Sequence, residues 1–529
     1  MAARPEDRPT SPSGGTRAPN VLVLYADTDC HTQTVQEHLL SFRRYGRFQC
    51  FYANAVEGAA CNVPLGVFDV VVIHYSACLY YRDYFSPAYA DALRRFTGLK
   101  VAFAQDEYDW TENLRDRIGD LGIQVFFTCV PEPYVEAVYP RARFPGTRFY
   151  STLTGFVPSG LDANIARKPV SERRIFVGYR GRALHPRYGA LAREKLVIGQ
   201  KMKDLCERAK LPCDIAWTEE HRIYWNDWYA FLENCRVTLG TESGSNVFDD
   251  HGEIRRAVDA DLRRRPSATY EELYAKHVAP HEAASARMNQ VSPRIFEAIA
   301  MRTGLVLFEG QYSGVVQPDL HYIPLRKDFG NAAEVIEKVR DERYLSEMTD
   351  RAYRDVIGSG RYSYETFIRE FEAVIARHGA APKGAALIAS LVAAHRSQTP
   401  WLVAGIADAD EAREQYQAHV EHNVVTFPVA ADAVSTATNW PLYHREHAAI
   451  VERSPVTRED LIRPLGLRVL DGVPAKVAAW AGVYKVDGAR MLVVALLTPA
   501  YLLAKLLPKR MRLLFGKAAF HLRRSFRRI

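Results

Sequence analysis

The sequence predicts an α/β protein made of two tandem, doubly wound Rossmann-like domains that face a cleft, followed by a C-terminal extension. Two observations carry this expectation. Short apolar runs alternate with helical stretches at the spacing of βαβ units, which makes each sheet parallel. The alternation pauses across residues 150–169, a hinge-like stretch, and restarts with a fresh apolar strand at 173–179. The boundaries follow: a disordered N-terminus at 1–19, a first domain at 20–155, a second at 170–380, an extension at 384–490 without an assignable role, and an apolar, basic tail at 491–529.

Each element has a local reason. Residues 21–25 are a continuous apolar run, a strand buried on both faces, and 26–30 form a turn with Asp27 and Asp29. A helix follows at 32–42, then strands at 48–52 and 68–74, a helix at 87–96, and a strand at 100–104 that runs into Gln105, Asp106 and Glu107. After another helix, 123–128 is a fifth strand. No G-x-G-x-x-G follows the first strand, so a dinucleotide fingerprint is absent there. In the second domain, strand 173–179 opens into an arginine-rich loop at 180–189, and strand 236–240 opens into the small-residue loop 241–246. Residues 247–290 read as a polar, mostly helical insertion. Ser292 is then an N-cap with Pro293 at the first helical position, where its missing N–H costs nothing. Gly304 stops that helix and 305–308 is a short buried strand. Another strand ends at 320–324, and helices at 331–341, 345–357 and 362–378 close the second domain.

Composition bounds the function. An apolar content of 48% with 25% charged residues excludes a disordered chain. Eight cysteines show neither C-x-x-C nor metal spacing and read as reduced core thiols, which points to a cytoplasmic compartment. Residues 1–20 have no apolar core of a secretory signal. The net charge of +7 resides in the tail: nine Lys and Arg fall between Lys505 and Arg528 with no acidic residue, and removing them leaves −2 for the rest. A body so nearly neutral argues against a nucleic-acid partner. The apolar segment starting at Met491 is too short to span a bilayer and is followed by that basic run, so it reads as a segment lying on an anionic membrane surface, with the body on the cytoplasmic face.

Three loops of the second domain should converge at the carboxyl edge of its sheet, where open α/β sheets bind ligands. The first supplies Arg180, Arg182 and Arg187. The second supplies Glu242 and Ser243. The third is the helix start with Ser292, Arg294 and Glu297, joined by Tyr312, Ser313 and Gly314 after the next strand. Guanidinium forks, a helix N-terminus and a carboxylate together suit a diphosphate with a ribose attached. Taken singly, each has a plainer reading: a solvated arginine turn, or Arg294 and Glu297 pairing in water. Their order along the chain favours the joint reading.

The loop Gly181-Arg182-Ala183-Leu184-His185-Pro186-Arg187-Tyr188-Gly189 and the helix Ser292-Pro293-Arg294-Ile295-Phe296-Glu297-Ala298-Ile299-Ala300 resemble the donor site of GT-B glycosyltransferases, in the broad group of the retaining family-4 and spore-maturation-type enzymes. Gly240 to Ser245 and His321 to Leu325 extend the resemblance, which covers about 20–380. It implies a nucleotide-sugar donor, with Arg182 and Arg187 on the diphosphate and Glu297 on the ribose. It also implies that the arginines and the helix dipole serve in place of a metal, with no other cofactor. One position departs: Asn289 stands where family-4 enzymes carry the first Glu of E-x7-E, and that carboxylate is either displaced, with Glu242 and Glu309 as candidates, or absent.

The first domain is expected to bind the acceptor, a glycan or a lipid-linked group. Of its strand-end residues, Asp106 and Glu107 are the first candidates for a catalytic base and His31 the second, while His74 ends an apolar strand and reads as a core residue. The expected activity is transfer of a sugar from a nucleotide donor. The alternatives are a nucleotide-sugar epimerase of the same fold and a non-catalytic glycan- or nucleotide-binding protein at the membrane.

Overall fold

In the computed structural model of the protein, residues 18–380 are described except for 27–32, 60, 62–64, 82–83, 159, 162–166, 224 and 285; residues 403–404 are described as well. The first unit runs β1 (Asn20–Tyr25), α1 (Gln33–Tyr45), β2 (Gln49–Asn54), β3 (Val70–Ile73), α2 (Pro87–Arg95), β4 (Leu99–Phe103), α3 (Thr111–Leu121), β5 (Val125–Thr128), α4 (Val135–Val138) and β6 (Arg148–Ser151). These strands are parallel in the order β2-β1-β3-β4-β5-β6. The sixth strand occupies residues expected to start the hinge. It forms because 148–151 continue the parallel register of β5, with Arg148 opposite Val125.

The second unit runs β7 (Ile175–Arg180), α5 (Gly189–Arg208), β8 (Cys213–Ala216), α6 (Trp225–Asn234), β9 (Cys235–Gly240), α7 (Glu253–Arg264), α8 (Tyr270–His277), α9 (Ala279–Ala284), α10 (Pro293–Ala300), β10 (Gly304–Phe308), β11 (Ile323–Leu325), α11 (Ala332–Arg340) and α12 (Glu342–Ala352), followed by α13 (Tyr364–Arg377). Its sheet is parallel in the order β11-β10-β9-β7-β8. Each sheet adds its second strand on one side and the later ones on the other. Switch points therefore lie between β1 and β3 and between β7 and β9, where a crevice opens at the carboxyl ends. Two doubly wound sheets in tandem are the arrangement that the resemblance implies.

α13 departs from the expected order. Its Tyr364, Phe367, Ile368 and Phe371 pack with Leu39, Phe42 and Phe103 in the core of the first unit. The helix has an apolar stripe that the second unit leaves uncovered, and burying it against α1 removes it from water. A short strand, β12 (Val403–Ala404), pairs antiparallel with β2. The remaining expectations for 384–490 and 491–529 fall outside the described residues. No helix among the described residues is long and apolar enough to cross a membrane.

Candidate functional site

The carboxyl ends of the two sheets meet. The loop after β9 is pinned to the segment before α10 by a two-residue ladder: Ser243 N–H donates to Gln290 O at 2.7 Å, and Gln290 N–H returns to Ser243 O at 2.9 Å. Gly244 makes this possible, with φ +99° and space for no Cβ: one there would lie 2.0 Å from Met288 O. Gln290 is buried, donates through Nε2 to Cys129 O of the first unit, and accepts from Ser313 Oγ at 2.8 Å.

α10 starts as expected, with Ser292 in extended N-cap geometry and Pro293 in the first turn, although the Ser292 hydroxyl makes no capping bond. Its early residues face α6. Trp228 Nε1 donates to Glu297 Oε2 at 2.7 Å, and the Arg294 guanidinium lies 5.0 Å over the Trp228 ring while donating to Arg180 O. Burial raises the Glu297 carboxyl above its ordinary range, and the Trp228 bond and Arg294 pull it back in part. Glu297 Oε1 has no hydrogen bond among the described residues, so one oxygen remains to accept from a ligand hydroxyl.

Lys195 is the residue the sequence reading missed. On α5 the buried residues are Gly189, Leu191, Ala192, Ile198, Gly199, Met202 and Cys206. Lys195 falls on that same stripe by its 3–4 spacing, and a lysine within an apolar stripe is a signal legible in sequence. Its Nζ donates to Ser243 Oγ at 3.3 Å. Burial first, then the charges of Arg294 and Arg182, depress it to about 8, with Asp106 opposing. Arg182 is exposed and makes no hydrogen bond or ion pair among the described residues. Lys195, Arg182 and Arg294 are thus cations that disfavour one another until an anion joins them.

The structure sorts the other expected residues. Arg180 turns away from the cleft: it donates to Asp214 Oδ2 at 2.7 Å and lies 4.3 Å over the Phe231 ring, because the strand alternation sends it into the β8–α6 side. Arg187 is buried in an ion pair with Asp109 of the first unit. Tyr312 is a core residue, fully buried, with Oη donating to Phe308 O at 2.6 Å. Tyr312, Ser313 and Gly314 all have positive φ, and this left-handed run turns the Ser313 hydroxyl back to Gln290 and to the Val291 N–H. Glu242 is buried and saturated. Its Oε1 accepts from the Gln311 and Tyr312 amides at 3.0 and 2.9 Å, and its Oε2 from Asn289 Nδ2 at 2.6 Å. Glu309 is exposed.

In the first unit, Glu107 is no candidate for a base. It is fully buried, and its carboxylate accepts from Thr128 Oγ1 and Cys129 N–H, both at 2.6 Å, and from Tyr139 Oη. Both residues lie in the turn after β4, and Thr128, Cys129 and Tyr139 hold Glu107 in the core while Asp106 stays exposed. Asp106 is solvent-accessible at the mouth of β4. Tyr108 Oη donates to Asp106 Oδ1 at 2.7 Å. Desolvation by the surrounding protein raises its carboxyl, against that bond, and Asp109 raises it further. His31 lies outside the described residues. His74 is a core residue: fully buried, 3.0 Å from Nδ1 of His38, with its own Nδ1 accepting from the Ser76 N–H. A cavity of about 530 Å³ between α2 and Cys61, Leu65 and Gly66 gathers none of these groups.

No protein family matches the sequence, and no curated protein does. Solved structures with a similar chain path include an alpha-glucosyltransferase in complex with UDP and a 13-mer DNA containing an HMU base (11% identity, 68% of this chain and 99% of that one, TM-score 0.41). Anabaena HepE in complex with UDP is another (10% identity, 68% and 100%, TM-score 0.39). The TarM crystal structure is a third (11% identity, 57% and 54%, TM-score 0.31).

Proposed function

We propose that the protein is a GT-B glycosyltransferase, of the family-4 or spore-maturation type, that moves a sugar from a nucleotide donor to a hydroxyl acceptor. The observation that carries this reading is the cationic cluster of Lys195, Arg182 and Arg294 beside the free oxygen of Glu297, at the switch point of the second sheet. A diphosphate neutralises the cluster, and a ribose hydroxyl donates to Glu297 Oε1. Charge developing on the leaving diphosphate is met by these fixed cations, so a metal is not required. Asp106 is the acceptor-side base, taking the proton of the attacking hydroxyl. A glycan or lipid-linked acceptor suits the basic tail at 491–529, which on this reading holds the protein to the cytoplasmic face of a membrane. A DNA acceptor, as the HMU-DNA complex illustrates for another protein, is the competing class, and the near-neutral body weighs against it.

The test is a thermal-shift panel of UDP-, GDP-, dTDP- and CMP-sugars on native protein and on Glu297→Ala. Stabilisation by one nucleotide class, lost in the variant, is expected. No stabilisation by any of them would overturn the reading. A binding protein without catalysis is the second reading, favoured by Asn289 at a carboxylate position. It predicts that Asp106→Asn changes nothing but the acceptor side, with no donor turnover in either protein.

A further inference from the structure

The turn that carries Asp106 is gripped from the second unit. Asp109 N–H closes the turn onto Asp106 O at 3.0 Å. The Asp109 carboxylate, almost fully buried, accepts both terminal nitrogens of Arg187, one of them at 3.0 Å, and Tyr81 Oη at 3.4 Å. The Arg187 guanidinium lies 4.0 Å over the Tyr188 ring, and Tyr188 meets Tyr108 edge to face at 5.7 Å. Tyr108 is in turn the donor to Asp106. The main chain adds a third hold, Asp249 N–H to Tyr108 O at 2.9 Å. Both terminal nitrogens of Arg187 are therefore engaged with Asp109 and Tyr188, so the fork that would grip a phosphate is turned to the first unit instead.

We propose that Arg187 is a positioning residue: paired with Asp109, it fixes, from the donor-side unit, the turn that presents Asp106 to the acceptor. The role rests on the reading of Asp106 as the acceptor-side base. It couples the two halves of the site, because the turn keeps this geometry only while the second unit is docked. The groups facing Asp106 are Tyr108 and Asp109 on its own turn, Tyr80 from the segment after β3, Cys129 after β5, Arg187 and Tyr188 before α5, and Lys195 on α5. Within this set Arg187 offsets the like charge of Asp109. Removing the arginine alone leaves a bare carboxylate beside Asp106. Removing the Asp109 charge alone leaves an unopposed guanidinium.

The experiment follows the Asp106 carboxyl directly, by carbon NMR of the full chain labelled at aspartate carboxyl carbons, with the resonance assigned by its loss in Asp106→Asn. The Asp106 midpoint should move to higher pH in Arg187→Met, to lower pH in Asp109→Asn, and lie between the two in the double variant. Identical midpoints, or shifts of one sign in both single variants, would overturn the proposal. Should Arg187→Met not fold, Asp109→Asn and Arg187→Lys carry the same comparison, and an unmoved midpoint in Asp109→Asn is the overturning result. UDP-glucose turnover in the same set separates the two ideas. The expected shifts without any nucleotide-sugar turnover would leave the pairing intact and sink the transferase reading, whereas turnover that depends on Asp106 with unmoved midpoints would sink only the positioning role.

Discussion

Lys195 gives the sharpest prediction about donor binding. Burial and its two arginine neighbours bring it to about 8, so in the free protein it is about nine-tenths charged at pH 7 and about one-tenth charged at pH 9. A bound diphosphate restores the charge, which means that binding above pH 8 takes up a proton. If the ammonium is what the phosphate meets, the Kd of UDP should rise about tenfold from pH 7 to pH 9. Lys195→Met should raise the Kd at pH 7 by about 10- to 150-fold, the value of one charge-assisted hydrogen bond at about 1.5–3 kcal/mol, and should flatten the pH dependence. Lys195→Arg should also flatten it, because guanidinium stays charged throughout. Isothermal titration of UDP at pH 7, 8 and 9 measures all three, and proton uptake is read by repeating it in buffers of different ionisation enthalpy. A flat wild-type Kd, or the same slope in Lys195→Arg, would refute the placing of Lys195 against the phosphate. The folded state should show the opposite trend: a lysine depressed below its unfolded value destabilises the fold when charged, so stability rises with pH from about 8 towards 10.5.

Two buried histidines and a buried carboxyl titrate in opposition on the acid side. His38 is lowered to about 3 and His74 is lowered too, both by burial. Groups depressed in this way contribute stability above pH 6.5 that is lost as pH falls towards 3. Glu107 is raised to about 7 by burial, so it gains stability as pH falls from 7 towards 4.5. Glu107→Gln cannot take up that proton, and its stability should fall more steeply than that of the wild type between pH 7 and 5, by about 1.4 kcal/mol per pH unit, as read from thermal melts; parallel pH profiles would contradict this. Arg173, 2% exposed, donates to the carbonyls of Lys168, Cys235 and Met301 and to Thr303 Oγ1 at 2.9–3.0 Å. Arg173→Met strands three buried acceptors at about 1 kcal/mol or more each, so a loss above about 3 kcal/mol in chemical denaturation is expected. Gly244→Ala should break the Ser243–Gln290 ladder by forcing Met288 away, and UDP affinity should drop while the far-ultraviolet circular dichroism stays native.

Several features could be read from the residues alone because their causes are local. The apolar runs at 21–25, 68–74 and 305–308 announce buried strands, and the structure has them at Asn20–Tyr25, Val70–Ile73 and Gly304–Phe308. Ser292 and Pro293 start α10 through backbone geometry that needs no distant partner, which is why Glu297 could be placed one turn in. The order of loops at the carboxyl edge followed from the βαβ rhythm. What remained was decided by contacts between residues far apart in sequence. Asp106 and Glu107 are chemically alike and adjacent, and only the closure of β5 and Tyr139 over one of them left the other as a candidate. Arg187 and Arg182 look interchangeable in the loop, yet one meets Asp109, 78 residues away, and the other meets solvent. α13 joins the first core rather than the second because the uncovered apolar surface it needs lies beside α1. Periodicity fixes which face a side chain takes on its own element. Which partner waits opposite that face depends on how the two sheets dock, and that is a property of the whole chain, through the burial of apolar surface and the pairing of charges that desolvation leaves no other choice.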